Sequence, residues 1–275
     1  MDDKNKKQNG EKDDIEEIVN MLDSFAQSET ARMKLKVSDD VEEGKVEKVY
    51  HHGRCDVGSP WAKGQACDVL EEDIKEFRRK QREDRITHLI VLEWNAFDQA
   101  RNVDGRAACQ DDWATFQLMR RSQYMTWTDE MIQSFTADFK SANACGRNLI
   151  AEKYGWMMET TTPDEFEEIK SLLPEIPVEK RRIVDEIVKI QVAWMEDFAA
   201  EQPDVVERMR SIHTSEDTPY NTSYETYLRG ELLTYSDATL MLYGRFIAGL
   251  ASEGRNLAEM TVENTEYLVR NQNKK

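Results

Sequence analysis

Two polar stretches gather the residues best suited to chemistry. They are GRAACQDDW (Gly105–Trp113) and HTSEDTPYNTSYETY (His213–Tyr227). In the first, Asp111 and Asp112 stand just before a helix-forming run. In the second, Glu216 and Asp217 lie beside His213, Tyr220 and Tyr224. Adjacent carboxylates can hold a hard divalent metal or serve as general acid and base, and His213, placed in the same catalytic set, would help orient a ligand. The tyrosine hydroxyls would orient a ligand. The same acids also favour the positive end of a helix, a role that needs no ligand. Both readings stay open at the level of sequence.

A second set comprises charges inside apolar runs: Glu93 in LIVLEW, Arg120 in QLMRRSQ and Glu231 in LRGELLTY. A buried charge is costly unless paired. Either these groups lie on solvated edges, or they pair across the interior, where Gln123 and Arg229 would join them in the wall of a polar cavity. Metal binding by Cys and His has weaker support, because His51, His52, Cys55 and Cys67 lack a zinc-site spacing. RMRSIH places Arg208 and His213 in an Arg-x4-His pattern that resembles the ribonuclease motif of helical HEPN domains. A formal charge of −17 opposes an RNA substrate or an anionic membrane surface. Phosphate-binding glycine loops and nucleophile-elbow motifs are absent.

These residues must be positioned by helices. With 12 Gly and 6 Pro in 275 residues, the chain has too few turn formers for a β-sandwich, and its apolar spacing is helical. Residues 1–80 read as a charged, partly disordered extension. It contains an amphipathic stretch over 15–25 and a Gly- and Pro-bearing loop over 50–67, with helix resuming near Ala66. Residues 81–275 read as one all-α domain. The opening residues lack an apolar core, and no run is long and apolar enough to cross a bilayer, which predicts a cytoplasmic chain with free thiols.

The tetrapeptide GRNL occurs at Gly146–Leu149 and again at Gly254–Leu257. TWTD (Thr126–Asp129) precedes the first copy and TYSD (Thr234–Asp237) the second, at the same offset. Arg121 aligns with Arg229, and Gln123 with Glu231. CQDDW and SEDTPY precede the matched helices, and each half opens with a long helix bearing a Trp, Trp94 or Trp194. This predicts a helical bundle of two pseudo-repeats, 85–160 and 178–270, with a period of about 108 residues. GRNL itself reads as a glycine helix stop followed by an asparagine helix start, and Asp129 as the cap of the helix that follows it. Two such units packed together would form a seam, where ligand sites of helical bundles commonly lie.

On LEWNAFDQARNVDGRAACQDDWATFQLMRRSQYMTW, GRNLIAEKYGWMMETT, EIVKIQVAWMEDFA, SIHTSEDTPYNTSYETYLRGELLTYSD and EGRNLAEMTVENT, the chain resembles the bacterial family of domain of unknown function 4125, over about residues 86–270. The resemblance implies an intracellular bacterial protein and supplies no activity. The residues leave three readings. The first is a small-molecule binder or enzyme, with an acidic cleft between the halves. The second is a noncatalytic interaction module that takes a protein partner or a second copy. The third is a HEPN-like RNA-processing protein, which the charge disfavours.

Overall fold

The computed structural model describes residues 19–20, 65–101, 105–207 and 209–272, with side chains in the first long helix from residue 71 onward. The expected 15–25 amphipathic stretch, apart from residues 19–20, lies outside the described residues. So do His51, His52, Cys55, the side chain of Cys67, and Arg208. The helices are α1 Gln65–Gln99, α2 Trp113–Tyr124, α3 Asp129–Ala144, α4 Leu149–Thr161 and α5 Pro163–Ile169. They continue as α6 Val178–Glu201, α7 Pro203–Val206, α8 Tyr224–Thr234, α9 Asp237–Ser252 and α10 Leu257–Gln272. Short 3-10 turns occupy Ala108–Asp111, Lys170–Leu172 and Thr214–Glu216. No strand occurs among the described residues, and none of their helices is long and apolar enough to cross a membrane. The all-α expectation holds, and α1 runs unbroken through Lys80.

The repeated tetrapeptide has a structural explanation. Gly146 and Gly254 adopt φ of 70° and 65°, the left-handed conformation that ends a helix. Arg147 N then donates to Ala142 O at 2.9 Å, and Arg255 N to Leu250 O at 2.9 Å, closing both helix ends alike. Asn148 Oδ1 accepts from Ile150 N and Ala151 N at 3.0 Å, and Asn256 Oδ1 from Ala258 N at 2.8 Å. Each Asn also donates from Nδ2 to a carbonyl of its own half's long helix. Asn148 reaches Ala96 O and Asn256 reaches Trp194 O, both at 2.8 Å. GRNL therefore stops one helix, starts the next and ties it to the first. Asn148→Ala loses a cap and leaves the Ala96 carbonyl unpaired, so urea denaturation is expected to show a loss of about 1–2 kcal/mol.

Thr128 caps α3 by accepting from Met131 N at 3.3 Å, and Ser236 caps α9 by accepting from Thr239 N at 3.2 Å. The cap thus falls one residue before the expected Asp129. Thr128 still has the extended backbone that a capping side chain requires, whereas Asp129 is already helical and turns its carboxylate to Arg82 and Arg85.

The packing obeys a two-fold exchange of halves. α1 packs on α2, α3 and α4, and α6 packs on α8, α9 and α10. Between halves, α4 meets α8, α2 meets α10, and α3 meets α9. Side chains repeat the pattern. Arg82 donates to Trp127 O at 2.5 Å and pairs with Asp129, while Lys180 donates to Tyr235 O and lies 3.6 Å from Asp237. Arg121 bonds Thr87 at 2.7 Å, and Arg229 lies 3.6 Å from Asp185. On the axis, equivalent residues touch each other. Gln123 Nε2 donates to Glu231 Oε1 at 3.3 Å across 108 positions, and the Trp127 and Tyr235 rings lie 6.1 Å apart. The connector from α6 to α8 is longer than that from α1 to α2 and carries α7. α4 and α8 approach closely because Gly230 lacks a side chain: a Cβ there would sit 2.9 Å from Met157 Cγ and 3.0 Å from the Lys153 carbonyl oxygen.

Candidate functional site

That close approach brings four charged side chains from α1, α2, α4 and α8 into the interior at the axis. Arg120 is 7% exposed, Glu93 2%, Glu231 4% and Lys153 3%. Arg120 Nε donates to Glu93 Oε2 at 2.7 Å, and its other nitrogens reach Gln123 Oε1 at 2.7 Å, Tyr124 Oη at 2.8 Å and Glu231 at 3.2 and 3.3 Å. Tyr124 donates to Glu93 at 2.7 Å and Tyr235 to Glu231 at 3.1 Å. Lys153 Nζ lies 2.7 Å from Glu231 Oε2. Of the two readings open to Glu93, Arg120 and Glu231, pairing across the interior is the one observed. Lys153, Tyr124 and Tyr235 complete the set and were not singled out from sequence.

Electrostatics keep Glu231 and Arg120 ionised. Burial alone would raise the Glu231 carboxyl, but Arg120 and Lys153 hold it well below the usual carboxylate range. Burial would strip the Arg120 proton, yet Glu231 and Glu93 raise its affinity further. Burial pushes the Tyr124 and Tyr235 hydroxyls up, so both remain neutral donors.

Lys153 is the member with donors to spare. Its Nζ also lies 3.5 Å from the centroid of the Tyr227 ring, and the Arg210 guanidinium lies 4.4 Å from the same centroid. Beside them the Tyr154 hydroxyl is raised, first by burial, then by Tyr227 and Cys109, against the opposing charge of Arg210.

The two connectors fold alike at their turns. Gln110 Oε1 accepts from Ala107 N at 2.9 Å, and Glu216 Oε2 accepts from His213 N at 3.1 Å, each closing a 3-10 turn. Gln110 Nε2 anchors the first turn to Phe97 O at 2.7 Å and Ala100 O at 2.9 Å. Asp111 pairs with Arg106 at 2.9 Å, while Asp112 caps α2 by accepting from Thr115 N at 3.0 Å, and the Thr115 side chain first, then its backbone N–H, lowers the Asp112 carboxyl. In the second connector, Asp217 accepts from Ser223 N at 2.6 Å and Thr226 Oγ1 at 2.5 Å. Burial would raise the Asp217 carboxyl, but these bonds lower it on balance. His213 Nε2 lies 3.2 Å from Glu196, Tyr220 is almost fully exposed, and Arg229 bonds Glu225 at 3.0 Å. Tyr224 donates to Gln191 at 3.4 Å. Among the described residues no hydrogen bond or ion pair joins the two turns, and no group of three His, Cys, Asp or Glu is placed to hold a metal. A hollow of about 690 Å³ lies beside the first turn, lined by Asp98, Gln99, Ala100, Arg101, Gly105 and Arg106.

A family model described as a protein of unknown function, DUF4125, matches residues 83–272. No curated protein and no solved structure matches the chain.

Proposed function

The chain belongs to the DUF4125 family, described as one of unknown function, and we propose that it binds a small polar molecule at the seam between its halves, against Lys153 and Tyr227. One observation carries this reading: the duplication supplies its own control. Arg120 corresponds to Leu228, Tyr124 to Leu232, Lys153 to Thr261 and Glu93 to Gln191. At these four positions the second half builds neutral or apolar side chains, so packing there does not require the charges; at the fifth, Gln123 and Glu231, the neutral residue lies in the first half. Buried ion pairs are often no more stabilising than apolar side chains of similar volume. Charged groups concentrated where the architecture does without them mark a candidate functional site.

In this reading Glu93, Arg120, Gln123 and Glu231 form a fixed polar wall. Lys153 offers its spare N–H groups to the ligand. Asp111, Asp112, Glu216, Asp217 and His213 belong to the turns that frame the entrance, with Tyr220 on the second connector and Tyr224 and Arg229 on α8.

The test is a thermal-shift panel of small carboxylates, phosphates, amines and sugars on the wild type and on Lys153→Met. At least one compound should raise the wild-type Tm by several degrees, as saturating ligand does, and the same compound should leave the variant's own Tm unmoved. No shift in the wild type, or an equal shift in both, would overturn the reading.

A further inference from the structure

We infer, on the strength of that binding reading, that the ligand carries an oxyanion, a carboxylate or a phosphate, and that Arg210 receives it. Lys153 Nζ and the Arg210 guanidinium both lie on the ring of Tyr227, at 3.5 and 4.4 Å from its centroid. The two cations are therefore within about 8 Å of each other, a separation at which like charges repel appreciably outside bulk water. Only Lys153 has an anion beside it, Glu231 at 2.7 Å. Arg210 donates from one terminal nitrogen to Thr222 O at 3.1 Å, and no carboxylate of the described residues pairs with it.

That vacancy is informative in a chain with 54 Asp and Glu against 37 Lys and Arg. Arg82, Arg106, Arg121, Arg147 and Arg229 find carboxylates, whereas among the described residues Arg78, Arg101 and Arg182 do not. Arg210 is fixed instead by an aromatic face and one carbonyl, which orient its plane while leaving N–H groups unused. A guanidinium held this way offers a planar fork matched to the two oxygens of a carboxylate or phosphate. The local charge agrees. Arg120 and Lys153 are balanced by Glu93 and Glu231, which leaves Arg210 on the Tyr227 ring as the cation without a carboxylate, a charge that one monoanion would match.

The probes are inorganic phosphate and succinate, titrated calorimetrically into the full chain at low salt, with wild type, Arg210→Gln and Arg210→Lys. At least one probe should bind the wild type, and its identity separates the phosphate source from the carboxylate source. Affinity should fall tenfold or more in Arg210→Gln, fall less in Arg210→Lys, and weaken with added salt. The Tm of both variants should stay at the wild-type value, because Arg210 is exposed. Equal affinity in Arg210→Gln, or binding of neither probe, overturns the inference. If neither probe binds but a neutral compound stabilises the wild type through Lys153, the oxyanion is wrong and the seam site stands. If nothing binds at all, both fall.

Discussion

Arg120→Leu is expected to destabilise the fold by about 3–5 kcal/mol, the usual result of removing one partner from a buried charged pair. The variant leaves Glu93, 2% exposed, with the Tyr124 hydroxyl in place of a cation. Leucine is nevertheless the residue the second half carries at this place, as Leu228, where the long helix offers Gln191 instead of Glu93. The double variant Glu93→Gln/Arg120→Leu copies that arrangement. It should therefore be more stable than Arg120→Leu alone, with a coupling of about 1.5–3 kcal/mol between the two sites. Urea unfolding of the two singles and the double measures this directly. A cost for Arg120→Leu no larger than that of a surface change would show that the network is not buried and paired as described. Ligand binding makes the complementary measurement: a double variant that folds well yet no longer binds would separate the use of the charges from their contribution to stability.

The same comparison shows what the sequence could disclose. Glycine stops and asparagine starts act locally, so GRNL announced its role wherever it stood. Helix caps are nearly as local, and the one-residue shift from Asp129 to Thr128 arose because both residue types can cap and only backbone geometry decides between them. Glu93, Arg120 and Glu231 were conspicuous because a charge in an apolar run demands a partner. Lys153 was not. In AEKYGWMM a lysine reads as a solvent-facing residue, and its partner Glu231 is 78 positions away. Only the repeat could have exposed it, by setting Lys153 opposite Thr261. The repeat was also harder to extend to the long helices. The longer second connector changes the offset, which hides the correspondence of Glu93 with Gln191 and of Arg82 with Lys180. Arg210 gave no signal at all, since stacking on Tyr227 across a turn depends on the connector's path.

Glu231 should be the most sensitive position in the network, because it alone faces two cations, Arg120 and Lys153. Glu231→Gln leaves those two with Glu93 as the only nearby anion, and a cost of about 3–5 kcal/mol at neutral pH is expected. The substitution should also change the acid response, and the sign follows from the direction of the shift. The folded carboxyl is held below its unfolded value, so the unfolded state takes up a proton first as pH falls. Its stabilising contribution is complete above the unfolded pKa of about 4.3. Below that pH the contribution declines steadily and would vanish only once the folded carboxyl also protonated. Wild type should therefore lose stability between pH 5 and pH 3 more steeply than Glu231→Gln, which has no such group to titrate. Urea midpoints across that range decide the matter. Parallel curves would mean that Glu231 is not held ionised by its two neighbours. A steeper wild-type curve, together with partial recovery of stability in Glu231→Gln/Lys153→Met, would establish that two cations sharing one carboxylate set the charge balance at the seam.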